Sequence, residues 1–129
     1  VDWFNDSIAT APQRAEASLR SFERPVVLLA GGRDKELNWE KFAELAGKKC
    51  RVVLAFGEAA PMIEGKFGAH LNTKQILERF DTMDEAVERA AEVAKEGEVV
   101  LLAPGGTSFD AFVDFEARGK RFMELVNAL

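Results

Sequence analysis

Val26-Val27-Leu28-Leu29-Ala30-Gly31-Gly32 and Val99-Val100-Leu101-Leu102-Ala103-Pro104-Gly105-Gly106 decide the fold. Each begins with five apolar residues in which polar and apolar positions do not alternate. A strand reads this way when both of its faces are buried, as in a parallel sheet covered by helices on either side. Working outward, further β-type runs fall at about 2–5, 50–56 and 76–80, giving strands at about 2–5, 25–30, 50–56, 76–80 and 98–103. The stretches between them carry helical periodicity: Ala11 to Phe22, Trp39 to Leu45, Ala59 to Ile63 and Met83 to Ala94. Thr10 before Pro12, Asn38 before Trp39, and Thr82 before Asp84 and Glu85 are the expected helix starts. A last helix is predicted over about 112–128, where Phe112, Phe115, Gly119, Phe122, Val126 and Leu129 form one face. The alternation predicts an α/β fold: a three-layer, Rossmann-like arrangement with a mostly parallel sheet and helices on both faces.

The 129 residues suit a single domain, 1–129, and 47% hydrophobic with 30% charged residues is globular composition. A formal net charge of −5 leaves no positive field to attract nucleic acid or an anionic membrane, so neither is expected as a partner. The single cysteine, Cys50, lies in an apolar run; it permits no internal disulfide and reads as a small buried hydrophobe. No apolar stretch approaches the ~20 residues of a membrane span, and a cytoplasmic location is expected. Val1-Asp2-Trp3-Phe4 lacks an initiator Met and reads as the middle of a strand, which suggests a piece of a longer chain.

In open parallel sheets, ligands bind where strand ends pass into helices. Three such loops stand out: Asn5-Asp6-Ser7-Ile8-Ala9-Thr10, Ala30-Gly31-Gly32-Arg33-Asp34-Lys35, and Ala103-Pro104-Gly105-Gly106-Thr107-Ser108-Phe109-Asp110. Paired glycines can bring backbone N–H groups close to a ligand, and Lys35, Thr10, Thr107 and Ser108 add side-chain donors, a composition suited to an anion. Dinucleotide and P-loop fingerprints are absent. One His and one Cys offer no metal cluster, so His70 reads as a surface residue. Ser108 does not lie in G-x-S-x-G. Residues 65–75, with Lys66, Gly68, His70 and Asn72, show no period and suggest no function. Unaided, the residues describe an α/β domain with an anion-friendly edge.

The same loops carry a resemblance. Asn5-Asp6-Ser7-Ile8-Ala9-Thr10 is similar to the Asn-Asp-Ser-Lys-Ala-Thr stretch that opens the C-terminal domain of the Mur ligases that add D-glutamate. Leu28-Leu29-Ala30-Gly31-Gly32-Arg33-Asp34-Lys35 resembles their Gly-Gly-x-x-Lys loop. Leu101 to Phe112 with Phe115 to Phe122 resembles their Leu-Ser-Pro-x-x-x-Ser-x-Asp-x-Phe-x-x-Phe-x-x-Arg-Gly. The matches span residues 4–122 in order. They imply the C-terminal domain of a three-domain, ATP-dependent enzyme of peptidoglycan synthesis. Its absent domains would hold UDP-N-acetylmuramoyl-L-alanine, ATP and Mg2+, with no cofactor held by this domain alone.

The resemblance further implies that ATP phosphorylates the substrate carboxylate and that the D-glutamate amine attacks the acyl phosphate. Carried over residue by residue, Lys35 and Thr10 hold one carboxylate of D-glutamate, Ser108 and the backbone N–H of Phe115 hold the other, and Asp6 approaches the ATP ribose. The alternative roles are helix caps for Asp6, Thr10 and Ser108, and a solvated side chain for Lys35. Two departures stand out: Ile8 replaces the family's Lys, and Gly105-Gly106-Thr107 replaces a bulkier triplet. The competing assignments are the matching domain of another Mur or folylpolyglutamate-type ligase, which should lack the Ser108-to-Gly119 pattern, and a free-standing binding module.

Overall fold

The computed structural model describes residues 1–129. Its elements run β1 (Asp2–Asn5), α1 (Pro12–Arg20), β2 (Val26–Gly31), α2 (Glu40–Lys49), β3 (Cys50–Phe56), α3 (Ala60–Gly68), β4 (Ile76–Phe80), α4 (Met83–Val93), β5 (Val99–Gly105) and α5 (Phe115–Asn127). The five strands form one sheet in the order β1-β5-β2-β3-β4, and every neighbouring pair is parallel. The expected three-layer α/β architecture is therefore the observed one.

The two apolar runs are central strands, and successive residues feed opposite layers. Val26, Leu28, Ala30, Val99, Leu101 and Ala103 pack with Ala15, Leu19, Phe42, Ile63 and Phe67 of α1, α2 and α3. Val27, Leu29, Val100 and Leu102 pack with Val87 and Ala90 of α4 and Phe122 of α5. Each run had to be apolar throughout because it serves two cores. Cys50 opens β3 and is 2% exposed; burial drives its thiol pKa up.

Several ends differ from their expected positions. α2 continues to Lys49 and α3 to Gly68, absorbing part of the segment without a period. The remaining loop is ordered by Gln75, whose amide nitrogen donates to the carbonyls of Gly47 (3.0 Å) and Cys50 (2.7 Å). His70 is partly buried, its Nε2 lying 2.6 Å from Glu40 Oε1. Ala11 and Trp39, not Thr10 and Asn38, occupy the cap positions of α1 and α2, without side-chain caps. Asn38 instead accepts from the Glu40 N–H at 2.8 Å. Thr82 does cap α4, in a reciprocal capping box with Glu85. α5 starts at Phe115, not near Phe112, because Asp114 Oδ1 accepts from the Ala117 N–H at 2.8 Å and fixes the start there.

At the amino edge of the sheet, Glu98 is 4% exposed and paired with Arg51. Arg51 Nε donates to Glu98 Oε2 at 2.5 Å, Arg51 Nη2 to Oε1 at 2.9 Å, and the Lys95 N–H to Oε1 at 2.7 Å. The hydrogen bond from Arg51 leads the causes that hold the Glu98 carboxyl below its usual 4.5, outweighing burial. A depressed acid stabilises the fold fully above its unfolded pKa and loses that contribution as pH falls through the folded value. Thermal melts of the chain should therefore show stability declining below about pH 4.5. Glu98→Gln should lower stability at pH 7 by about 1.5–3 kcal/mol and flatten that acid limb.

Candidate functional site

β5 lies between β1 and β2, so the loops after these three strands leave neighbouring positions on the same edge. They comprise residues 6–11 (loop one), 32–39 (loop two) and 106–114 (loop three). Loops one and two feed α1 and α2 on one face, while loop three feeds α5 on the other. A crevice at the carboxyl ends of strands whose connections diverge in this way is where open α/β sheets bind ligands. Backbone bonds tie the loops together. Arg33 and Thr107 exchange N–H···O=C bonds, both 2.9 Å, and the Gly105 N–H donates to the Ala9 carbonyl at 2.9 Å.

Arg118 lies beneath this edge and is 0% exposed. Its Nε donates to Ser7 Oγ (2.9 Å), Nη2 to the Ser7 carbonyl (2.8 Å) and Nη1 to the Gly106 carbonyl (3.1 Å). Ser7 Oγ in turn donates to the Phe115 carbonyl at 2.7 Å. Asn5 joins the same segments: its Oδ1 accepts from the Ser7 N–H (3.1 Å), and its Nδ2 donates to the Gly119 carbonyl (3.2 Å). Burial lowers the Arg118 pKa to about 10, partly opposed by the negative charge of Asp110.

Asp34 shapes loop two. Its Oδ1 accepts from Trp39 Nε1 at 2.8 Å and from the Leu37 N–H at 3.3 Å, while Glu36 between them adopts φ +61°. Trp39 is buried against Gly105 of β5: a Cβ at that glycine, φ +75°, would stand 2.7 Å from Trp39 Cζ3. The loop bearing Lys35 is thus anchored to the strand that carries loop three.

The five candidate residues fall on these tied segments. Asp6 and Thr10 are half-buried in loop one, Lys35 is exposed on loop two, Ser108 is 1% exposed in loop three, and Phe115 opens α5. Neither Thr10 nor Ser108 serves as a helix cap. Phe115 occupies the first helical position, where an amide has no intrahelical partner. Lys35 enters none of the ion pairs in the chain.

Two of the four loop glycines act differently from expectation. The Gly32 and Gly105 amides are spent on the Phe56 and Ala9 carbonyls, so these glycines pack loop on loop and offer no free donor. Thr107 Oγ1 is buried without a hydrogen-bond partner, and nothing in the chain explains it. A neighbouring cleft of about 200 Å3 is lined by Phe56, Asp81, Asp84, Asp110 and Phe112; its carboxylates make it unsuited to an anion.

Comparison with known proteins fits this geometry. Residues 1–106 match the family model of the Mur ligase C-terminal region, described as "Mur ligase, glutamate ligase domain". This chain belongs to that Mur ligase family. The UDP-N-acetylmuramoylalanine--D-glutamate ligases of Clostridium novyi and Clostridium acetobutylicum are 39% and 40% identical to it over 132 aligned positions. Those alignments take in 100% of this chain but only 29% of each relative's length. Among solved structures, the MurF ligase of Thermotoga maritima in complex with ADP superposes with a TM-score of 0.51 at 21% identity, over 92% of this chain and 27% of that one. That likeness bears on the fold alone.

In this Mur ligase domain no group of three or more His, Cys, Asp or Glu side chains converges as a metal-binding cluster. Ile8, where the family motif has Lys, is half-exposed and brings no charge to loop one. The structural roles of Ser7, Asp34 and Arg118 are not evident from the sequence. Only Arg118 left a usable signal: it lies three residues after Phe115 and four before Phe122, on the apolar stripe of α5.

Gly32 is a sharp test of the loop packing. At φ +99°, a Cβ would stand 2.1 Å from the Thr107 carbonyl oxygen and 2.8 Å from Arg118 Nη1. Gly32→Ala should destabilise the chain by about 2 kcal/mol or more in chemical denaturation, whereas Gly65→Ala, where a Cβ meets nothing within 4 Å, should not.

Proposed function

We propose that this chain is the amino-acid-presenting part of an ATP-dependent ligase that joins D-glutamate to UDP-N-acetylmuramoyl-L-alanine in peptidoglycan synthesis. The observation that carries the reading is the convergence of loops one, two and three on one sheet edge in a chain whose relatives bear that name. Because the chain spans under a third of their length, the phosphate-handling and UDP-sugar sites, with Mg2+, belong to the remainder of such an enzyme.

D-Glutamate carries two carboxylates, and its recognition calls for two sets of fixed donors. Lys35 and Thr10 hold one carboxylate; the Ser108 hydroxyl and the Phe115 N–H, on the two segments that meet at Arg118 and Ser7, hold the other. Asp6, at the start of loop one, approaches the ATP ribose. Held at both ends, the amino acid presents its amine to the acyl phosphate; the C–N bond forms, the amine gives up a proton, and the acyl C–O bond breaks as phosphate leaves. The contribution of this chain is positioning, which converts a collision between two dissolved reactants into an intramolecular step. A reducing cytoplasmic setting fits the one buried, unpaired thiol.

Steady-state kinetics of the full-length ligase test the assignment. Lys35→Ala should keep the fold and the KM for ATP while cutting kcat/KM for D-glutamate by about 2–5 kcal/mol, roughly thirtyfold to several thousandfold. A change within about twofold, the outcome for a solvated surface lysine, would refute the role given to loop two. Ser108→Ala should raise the KM for D-glutamate, costing about 1.5–3 kcal/mol, with little change for ATP. Residues 1–129 alone should release no ADP when given ATP, D-glutamate and the UDP-sugar substrate.

A further inference from the structure

We propose that Arg118 is a positioning residue whose buried guanidinium locks loop one, loop three and the first turn of α5 into one unit, setting the pocket for the carboxylate held by Ser108 and Phe115. The inference rests on the D-glutamate reading above and deepens it.

Arg118 is fully buried, yet all three of its hydrogen bonds go to neutral oxygens and it forms no ion pair. For stability alone this is a poor use of the position: a buried charge is costly to desolvate, and well-packed apolar residues often serve as well or better. What the guanidinium supplies is a planar fork that reaches several acceptors at once. Those acceptors lie on loop one (Ser7 Oγ and carbonyl) and loop three (Gly106 carbonyl), and the arginine itself sits on α5. Ser7 Oγ, which accepts from Arg118, passes the link on to the Phe115 carbonyl. Loop two is drawn in as well, because the space beside Gly32 is filled by Arg118 Nη1 and the Thr107 carbonyl.

One cation thus controls the separation between Ser108, two residues after Gly106, and the amide of Phe115, whose carbonyl it grips through Ser7. The guanidinium is also a buried positive charge beneath these segments, without an ion-pair partner and offset only in part by the charge of Asp110. A second carboxylate on the amino acid gains from it and a neutral amide does not.

The experiment measures KM for D-glutamate, for its neutral analogue D-glutamine, and for ATP in the full-length ligase, with thermal stability alongside. Arg118→Lys keeps the charge and removes the fork; Ser7→Ala cuts the relay with a smaller structural change. Arg118→Lys should raise the KM for D-glutamate by about tenfold to a hundredfold, leave that for ATP within about twofold, and narrow the preference for D-glutamate over D-glutamine. Ser7→Ala should act in the same direction by several-fold. A fall in melting temperature with the D-glutamate KM and the D-glutamate preference unchanged would make Arg118 merely structural and overturn the proposal. If Arg118→Lys fails to fold, Ser7→Ala decides on the same criteria. Lys35→Ala in parallel separates the failures. If it weakens D-glutamate use while Arg118→Lys and Ser7→Ala do not, the positioning role alone is wrong; if it too has no effect, the D-glutamate site is misassigned and this inference falls with it.

Discussion

The molecule is organised by the pairing of β5 with two partners at once. Val99 to Leu102 align with Asp2 to Asn5 on one side and with Val26 to Leu29 on the other. This register brings the first fifth of the chain against its last quarter. Without it, loops one and three would end on unrelated parts of the surface. Double pairing satisfies the backbone of β5 on both edges, while the helices over both of its faces require it to be apolar throughout. Parallel pairing at such sequence separation closes long loops before it gains contacts, and β1, whose only partner is β5, cannot join the sheet before it.

The two edges of the sheet are secured by arginines in contrasting ways. At the amino edge, Arg51 meets a carboxylate, Glu98, and both groups are driven toward their charged forms. Arg24 adds bonds to the Gly97 and Glu98 carbonyls and to Asp2, in a region with no candidate ligand residues. At the carboxyl edge, Arg118 meets only hydroxyl and carbonyl oxygens and is driven toward its neutral form. A paired charge suits a closed structural seam.

How much of this was legible in the sequence follows from the range of each interaction. Strand positions were readable because burial on both faces leaves a local signature, and Thr82 was readable because a capping box lies within four residues. Strand order was not readable: nothing in Val99 to Gly105 says which strands flank it. Thr10, Lys35 and Ser108 stood out as donors in strand-end loops, and the roles given to them, with Asp6 and Phe115, came from resemblance to a motif. Which of those loops lie side by side depends on strand order, and no local pattern contains it. Arg118 matched a position of the motif, but its role was hidden for a physical reason: an arginine in a helix is usually solvated, and only its spacing from Phe115 and Phe122 placed it inward. Asp34 was one acid among 22. Its role depends on a tryptophan five residues away folding back onto a glycine of β5. The paired glycines were correctly tied to the loops, but their small size serves contacts between loops.

Cys50 has a practical consequence. It sits at the start of a central strand beneath the Gln75 side chain, almost without exposure, and its thiol is the only one in the chain. The thiolate is the reactive form, and burial both withholds it and bars access to alkylating reagents. Modification must then wait for the core around Cys50 to open, so under conditions where reclosing outpaces labelling the rate of labelling by a small alkylating probe reports the free energy of that opening. The native chain therefore carries its own kinetic reporter, with no engineered label, for following how ligands at the far edge tighten or loosen its centre.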